Sequence, residues 1–277
     1  MIASIFTIMT PLLLSGLGAL FCEQAGFTNI AIEGLILSGA FFSIIFSSMC
    51  NSYVLGVLLA MAANIVISLL MHMAVERLKA NLYVAGLSIN LLSSGLTATL
   101  SYALFSTKGV LFFANLKPIP ALFGQQALFY IALALLAITP IMLGRTVWGL
   151  RLRICGKKRE ALDSIGLSSK SLIMETYIIC ASLCTLAGAS LSLATGSFVP
   201  NMSASRGWIA LVLVLLGGSK PLGLLVSCLL YSFFEALGNR LQGALNVPSD
   251  FVLALPYVIT LITLIAYSAV KARRNRF

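Results

Sequence analysis

Residues 54–74 read VLGVLLAMAANIVISLLMHMA, an apolar run that contains no Asp, Glu, Lys or Arg. About 20 apolar residues in an α-helix are long enough to cross the hydrocarbon core of a bilayer. A helix at the surface of a soluble domain keeps one polar face, which this run lacks. The stretch therefore predicts a membrane-spanning helix.

Similar apolar runs continue on both sides, separated by short polar breaks. We predict segments at 2–20, 34–50, 54–74, 82–105, 126–144, 172–194, 207–217, 222–239 and 251–270. The sequence thus predicts an all-α integral membrane protein, a polytopic bundle of about eight to nine segments in one transmembrane domain over residues 1–277.

The segment 207–217 is too short for a full crossing. Backbone that stops inside a membrane must be buried in protein or line a cavity, because lipid cannot satisfy its N–H and C=O groups. We therefore expect broken or re-entrant helices, the feature at which transporters bind their solutes.

Composition supports the same class of protein. Apolar residues make up 60% of the chain and charged residues 9%, so a soluble fold would expose more apolar surface than one core buries. The net charge of +10 sits in a few short loops instead of on one face, which argues against a nucleic-acid partner. Membrane lipid is the solvent that this composition fits.

The basic residues predict the topology. They cluster at Arg77 and Lys79, within 145–159 and within 271–276, and by the positive-inside rule all three clusters face the cytoplasm. Even numbers of segments separate them, which makes the C-terminus cytoplasmic. Three segments, 2–20, 34–50 and 54–74, precede the first cluster, which places Met1 outside if all three are full crossings. The first 20 residues lack the basic start and cleavage site of a signal peptide, so we expect a retained first span.

The longest polar stretch, 145–171, carries most of the charge in the middle of the chain. Residues 157–165 predict a short amphipathic helix, with Ala161, Leu162 and Ile165 on one face and Gly166 as its C-terminal stop. Such a helix docks into a groove of a partner. The alternative is a solvated loop that only fixes the topology.

Chemical motifs and metal ligands are sparse. The sequence has no HExxH motif, no Walker GxxxxGK[ST] loop and no GxSxG elbow, so we expect no catalytic residue and no cofactor on this chain. The six cysteines form no CxxC pair; Cys180 and Cys184 share a helical face without further ligands, and His72 is isolated. We predict no metal site.

Polar side chains inside apolar segments are candidates for a solute pathway, because lipid disfavours them. Asn29 and Glu33 precede the second segment, and Ser88 and Asn90 lie in the fourth. The structural alternatives are that Glu33 accepts backbone N–H groups at a helix N-terminus and that Asn90 hydrogen-bonds a neighbouring helix.

A Gly/Pro/Ser-rich break, TGSFVPNMSASRGW, precedes the short segment. Phe198, Asn201 and Trp208 lie around this break, and the rings of Phe198 and Trp208 are suited to stacking on a flat solute. A Trp at a membrane interface is the alternative for Trp208.

Four runs carry a family resemblance: EQAGFTNIAIEGLILSGAFF, GLSINLLSSGLTATL, TVWGLRLRICGKKREALDSIGLS and SRGWIALVLVLLGGSKPLG. Together they resemble ABC-transporter permeases of the branched-chain amino acid and ribose superfamily. The patterns at 23–34 and 206–210 resemble its nucleoside and simple-sugar branch. Members commonly have Arg where this chain has Gln24, which puts a local ion pair in question.

The resemblance implies partners and roles. It implies an ABC ATPase subunit that uses ATP and Mg²⁺, a second, paralogous permease and an extracytoplasmic solute-binding lipoprotein. It implies two inverted halves, each with a broken helix, at 29–39 and 206–218. It also makes the segment 156–166 the coupling helix, in which we assign Gly156, Lys157, Lys158, Arg159, Glu160, Ala161, Leu162, Asp163, Ile165 and Gly166.

These observations predict a permease subunit of an ATP-driven importer in a bacterial cytoplasmic (inner) membrane. A cavity with few charges and several aromatic rings favours a nucleoside. The alternatives are riboflavin or a simple sugar as the solute, a secondary transporter or channel, and an intramembrane enzyme.

Overall fold

The computed structural model describes residues 2–107, 109–113, 116, 121–122 and 125–244. Its helices are α1 (Ile2–Gln24), α2 (Ile32–Cys50), α3 (Tyr53–Glu76), α4 (Leu82–Phe105), α5 (Ala127–Arg145), α6 (Val147–Lys157), α7 (Arg159–Ser164), α8 (Ser169–Thr195), α9 (Arg206–Leu216) and α10 (Pro221–Ala244). Four two-residue strands accompany them: β1 (Leu111–Phe112), β2 (Ala121–Leu122), β3 (Gln125–Gln126) and β4 (Ser197–Phe198).

Seven of the described helices are long and apolar enough to cross a membrane. Eight of the predicted segments coincide with observed helices to within a few residues, and the short one is α9. The prediction of an all-α polytopic membrane protein is confirmed. The predicted segment 251–270 and the basic residues within 271–276 lie outside the described residues.

Helix ends follow local chemistry. The side chain of Asn81 accepts the backbone N–H groups of Tyr83 and Val84 and so starts α4. Gly196, with a φ of 61°, ends α8 in a left-handed conformation that costs glycine little. Pro221 is the first residue of α10, where the missing N–H has no helical partner anyway.

One end of the bundle carries Arg77, Lys79, α6 and α7, and we call it the basic end. Glu76 at the end of α3 pairs with Arg159 of α7 at 3.2 Å. The helices α3 and α5 end here, and α4 and α8 begin here. The helix α1 also ends here, because Gly26 just after it lies against Gly156 of α6.

The other end is closed by short strands. Strands β1 and β4 pair antiparallel, with Leu111 opposite Phe198. The Gln125 side chain donates to the backbone oxygen of Ala3 at 3.1 Å, so α1 and α5 start at the same end and run in parallel.

The interior is formed mainly by α1, α2 and α8. A Cβ on Gly188 of α8 would come within 2.3 Å of the carbonyl oxygen of Ile36 in α2, so only glycine permits this approach. In α1, 78% of the span is buried, against 28% in α4. The helices α3, α4 and α5 therefore present large surfaces to lipid or to another subunit.

The polar stretch 145–171 follows its prediction in part. The short helix predicted over 157–165 is present as α7, and an extended Lys158 separates it from α6, which was not predicted. Leu162 is buried in the core with 1% exposure, whereas Ile165 is 66% exposed. The predicted shared apolar face is thus wrong, because Leu162 packs into its own chain and leaves Ala161 and Ile165 outside.

Candidate functional site

Glu33 joins the start of α2 to the start of α9. One carboxylate oxygen accepts the Ser203 hydroxyl at 2.6 Å and the Ser205 N–H at 2.9 Å, and the other accepts the Gly207 N–H at 2.7 Å. The first N–H groups of a helix lack helical partners and carry partial positive charge, which a carboxylate stabilises. The geometry therefore shows Glu33 accepting N–H groups at a helix N-terminus, which was the structural alternative. Its role in solute binding stays a prediction.

The second side chain at this junction is Asn90 of α4. Its oxygen accepts the Gly34 N–H at 2.8 Å, and its nitrogen donates to the Ile30 oxygen at 3.0 Å. Asn90 thereby fixes the start of α2 from a neighbouring helix. Here too the observed bonds are those of the helix-packing alternative.

The junction lies deep in the bundle. Asn90 is about 12 Å along α4 from its beginning at Leu82, and Arg206 is about 15 Å along α9 from its end at Leu216, at 1.5 Å per residue. Both distances are measured from the basic end. In a hydrocarbon core of about 30 Å, the N-termini of α2 and α9 therefore meet near the middle.

The two helix pairs around this junction run in opposite directions. The helix α1 approaches the basic end and α8 leaves it, and they touch where Gly18 faces Cys180. In turn, α2 packs on α8 and α9 packs on α1. This arrangement is the one expected of the inverted halves that the family resemblance implies.

Two predicted pathway residues are enclosed in this structure. Asn29 has 0% exposure; its nitrogen contacts the Cys180 sulfur at 3.4 Å and its oxygen accepts the Ala31 N–H at 3.1 Å. Phe198 has 1% exposure and packs edge-on against Phe41, with ring centroids 5.1 Å apart. Their predicted contact with a solute stays a prediction and requires a different conformation.

Three other pathway candidates reach the surface: Ser88, Asn201 and Trp208. Ser88 lies on an exposed face of α4 that also carries Gly95 and Thr99. Its hydroxyl donates to the Val84 oxygen within the same helix at 2.8 Å. The face is mixed, because its small and polar side chains suit water or protein, whereas Leu91 and Leu92, which are 75% and 47% exposed on it, also suit lipid.

A buried polar connection that the sequence analysis missed lies at Asn64. Its nitrogen donates to the Leu35 oxygen at 2.7 Å and to the Thr185 hydroxyl at 2.8 Å, and its oxygen accepts the Ser38 hydroxyl at 2.6 Å. These bonds tie α2, α3 and α8 together. The signal in the sequence was a single Asn inside the most apolar span.

The face of α8 that carries Cys180 and Cys184 contacts a third thiol, which was not predicted. Cys22 of α1 joins Cys180 and Cys184 of α8 at the helix crossing, and all three are fully buried. Among the described residues, no group of three or more His, Cys, Asp or Glu has an arrangement that would hold a metal ion.

One side of the helix α7 packs against the bundle, and the opposite side is exposed. Leu162 and the ion pair between Arg159 and Glu76 hold it to the bundle. Asp163 closes the corner to α8. The backbone N–H of Ser169 and its hydroxyl donate to the carboxylate of Asp163 at 2.9 and 3.0 Å and hold its pKa below the usual range.

Gln24, the departure from the family pattern, has a partner of its own. Its amide nitrogen donates to the backbone oxygen of Ser219 at 2.8 Å. The bond joins the end of α1 to the turn between α9 and α10. A neutral side chain at this position therefore still connects α1 to the turn before α10.

Three relatives of this chain are named as ABC-transporter permeases. Nucleoside ABC transporter permease protein NupC of Lactococcus lactis is 27% identical over 95% of this chain and 90% of that protein. Guanosine ABC transporter permease protein NupQ of Bacillus subtilis is 28% identical over 93% of this chain and 88% of that protein. A relative in Haloferax volcanii, named provisionally as glucose ABC transporter permease protein TsgC13, is 30% identical over 84% of this chain and 75% of its own length.

No solved structure matches the chain significantly. The profile of one family, described as the permease component of the branched-chain amino acid transport system, matches residues 1–266. The chain belongs to this family of ABC-transporter permeases, and it is a transport subunit that spans the membrane several times.

Proposed function

We propose that this chain is the membrane-spanning subunit of an ATP-driven importer for nucleosides. The observation that carries the proposal is the meeting of α2 and α9 at Glu33, near the middle of the bundle. Helix N-termini that end inside a membrane form the solute sites of many transporters, because their N–H groups and dipoles are directed at the cavity. Transport changes the partners of these N-termini without covalent chemistry.

In this proposal the basic end faces the cytoplasm. Arg77, Lys79 and the basic residues of α6 and α7 support that orientation through the positive-inside rule. Met1 and the strand pair β1–β4 then lie on the outer side, and the C-terminus is cytoplasmic. The membrane is the bacterial cytoplasmic (inner) membrane, where lipid covers the exposed apolar helices.

The outer side of α7 is the docking surface for an ABC ATPase subunit. Ala161 and Ile165 are exposed one helical turn apart, next to the exposed cations Lys157 and Lys158. An apolar patch with a basic rim suits a groove in an acidic partner surface. ATP and Mg²⁺ are bound by that partner and not by this chain.

The solute passes along the exposed face of α4, between this chain and a second, paralogous permease. Ser88 of α4 contributes a polar group, and Trp208 at the start of α9 contributes a ring that is 39% exposed; Asn90, bonded to the start of α2, becomes available only when the junction opens. Asn29, Glu33, Phe198 and Asn201 join the pathway when the junction opens. A solute-binding lipoprotein delivers the solute at the outer end.

The names of the relatives support a nucleoside as the solute. NupC and NupQ, which resemble this chain over most of its length, are named for nucleoside and guanosine transport. A sugar is the second candidate, because the Haloferax relative is named for glucose. Both solutes are neutral and rich in hydroxyl groups, so the sparse charge of the described helices fits either.

Uptake by the complete transporter tests the proposal. The tagged chain is purified in mild detergent with its co-purifying subunits, reconstituted in liposomes that contain ATP, and supplied with the solute-binding protein. We expect ATP-dependent uptake of labelled guanosine or uridine and recovery of an ATPase and a related permease.

Uptake of glucose or ribose without nucleoside uptake would replace the solute by a sugar. Transport that persists without the ATPase would instead move the chain to the secondary transporters or channels. A matched control is a liposome loaded with a non-hydrolysable ATP analogue, in which uptake should be absent.

A further inference from the structure

A cavity of about 440 Å³ lies at the basic end, between α7 and the loop that joins α1 to α2. Its lining includes Glu23 and Thr28 on one side, Glu76 and Arg159 on another, and Tyr177 at depth. Glu33 is not part of its lining, and α4 contributes only Leu82 and Tyr83, from its first turn. Its volume falls in the usual range for small-molecule sites.

The charges in this cavity are unequally satisfied. Arg159 neutralises Glu76 at 3.2 Å. Glu23 accepts the hydroxyl of Thr28 and, within the part of the chain that the structure describes, has no cation within ion-pair distance. One carboxylate therefore remains available to a ligand that carries N–H donors or positive charge.

The depth of the cavity is formed by aromatic rings. Tyr177 is 1% exposed, and its ring stacks on that of Phe27 with centroids 4.8 Å apart. Tyr177 lines the cavity, so its hydroxyl can donate to, or accept from, a ligand or water there.

We propose that this cavity is a second, cytoplasmic site for the transported nucleoside, selective for a guanine-type base. Guanine presents two adjacent N–H groups that a carboxylate such as Glu23 accepts together. The Tyr177 hydroxyl, which lines the cavity, supplies one further hydrogen bond, and the lining rings of Phe27 and Tyr83 supply a surface for the flat base. Uracil offers a single N–H between two carbonyl groups, which a carboxylate disfavours.

Occupation of this cavity restrains the coupling helix. Arg159 lines the cavity and is the first residue of α7. Glu23 and Thr28, which also line it, lie on either side of Gly26, the loop residue that contacts Gly156 of α6. A ligand that contacts both Arg159 and Glu23 opposes movement of α7 relative to the loop between α1 and α2. The consequence is inhibition of import by nucleoside that has accumulated inside the cell. This inference rests on the proposed nucleoside import.

The test uses the complete transporter in liposomes that contain ATP and, in parallel, excess unlabelled guanosine, uridine or ribose in the lumen. We expect lumenal guanosine to lower the initial rate of uptake by about tenfold when it is present at about ten times its dissociation constant. Lumenal ribose should leave the rate unchanged. Uptake from an empty lumen, measured alongside, reports on the proposed function separately.

Two conservative variants assign the effect to the cavity. Tyr177→Phe keeps the stacked ring and removes only the hydroxyl, and Glu23→Gln keeps the shape and removes the charge. We expect guanosine affinity to fall about fivefold in the first and about tenfold or more in the second. At the same lumenal guanosine concentration, inhibition should then fall from about tenfold to about threefold and about twofold or less, while uptake from an empty lumen continues. Tyr53→Phe, at the opposite end of the bundle, is the matched control and should retain inhibition.

Binding of labelled guanosine to the ATP-free transporter in nanodiscs is a second measurement. It reports on the site without requiring transport, so it still applies if a variant folds poorly. Normal uptake with neither inhibition nor loss of binding in Glu23→Gln would overturn the second site and leave the proposed function intact. Absence of nucleoside uptake from an empty lumen would overturn the proposed function instead. Equal inhibition by guanosine and ribose would remove the selectivity for the base.

Discussion

Gly156 of α6 and Gly26, in the loop after α1, lie in backbone contact. A Cβ on Gly156 would come within 2.3 Å of the Gln24 oxygen, and a Cβ on Gly26 would come within 2.7 Å of the Gly156 Cα. Gly26 also has a φ of 86°, which side chains other than glycine rarely adopt. A movement of α6 and α7 is therefore passed directly to the loop that leads to Glu33.

Gly156→Ala tests this contact. The added methyl group has no space, so the loop and α6 must separate, which we expect to destabilise the protein by about 1–3 kcal/mol and to reduce uptake. Thermal unfolding in detergent and ATP-driven uptake measure the two effects. Gly144→Ala in α5 is the control, because its Cβ would meet nothing within 4 Å. Indistinguishable melting temperatures for the two variants would contradict the close contact.

Glu33→Gln tests the junction of α2 and α9. The carboxylate accepts three hydrogen bonds at the start of α9, and loss of its charge should destabilise the protein by about 1.5–3 kcal/mol. Ser203→Ala removes one donor and should cost about 1 kcal/mol. Denaturant unfolding followed by circular dichroism gives both values.

The order of these two effects is the informative result. Glu160→Gln on the exposed side of α7 serves as the control and should change stability by less than either. A larger loss in Ser203→Ala than in Glu33→Gln would show that the serine, and not the carboxylate, holds the start of α9.

Much of this architecture could be predicted from the sequence, because lipid imposes length and polarity on each segment. The short segment 207–217 indicated the broken helix that α9 forms. The partners of polar residues could not be predicted. Asn64 lies in a run that predicts only a span, and its three bonds to α2 and α8 depend on how the helices pack.

In the candidate site, too, the positions of residues along the chain could be predicted and their burial could not. Asn29 and Phe198 precede the broken helices in the sequence, but no pattern in the sequence indicates that both are enclosed. Similarly, an amphipathic pattern puts Leu162 and Ile165 on one face, whereas the core of the chain covers Leu162 alone. Periodicity identifies an apolar face, and tertiary packing decides which part of it remains free for a partner.

Ile165→Asp and Leu162→Asp separate docking from folding. Ile165 is 66% exposed, so Asp there should leave the melting temperature unchanged and uncouple ATP hydrolysis from uptake by removing an apolar contact with the ATPase. Leu162 is 1% exposed, so Asp there buries a charge and should abolish folding. Ala161→Asp should behave as Ile165→Asp does.

Co-purification of the ATPase and the ratio of ATP hydrolysed to solute transported are the measurements for this series. A stable Leu162→Asp variant would refute the anchoring of α7. Unchanged coupling in both Ala161→Asp and Ile165→Asp would remove this face from the docking surface.

The carboxylate of Asp163 predicts how the corner between α7 and α8 responds to pH. Hydrogen bonds from Ser169 lower its pKa, so it stabilises the folded corner above its unfolded pKa of about 4, and this contribution is lost as the pH falls through the folded value. Hydrogen-exchange protection of residues 165–171 should therefore stay constant from about pH 8 to pH 5 and decrease only below about pH 4. Asp163→Asn should show weaker protection that lacks this decrease. A loss of protection between pH 8 and pH 5 in the native chain would contradict the assignment, because no lowered carboxyl pKa titrates there.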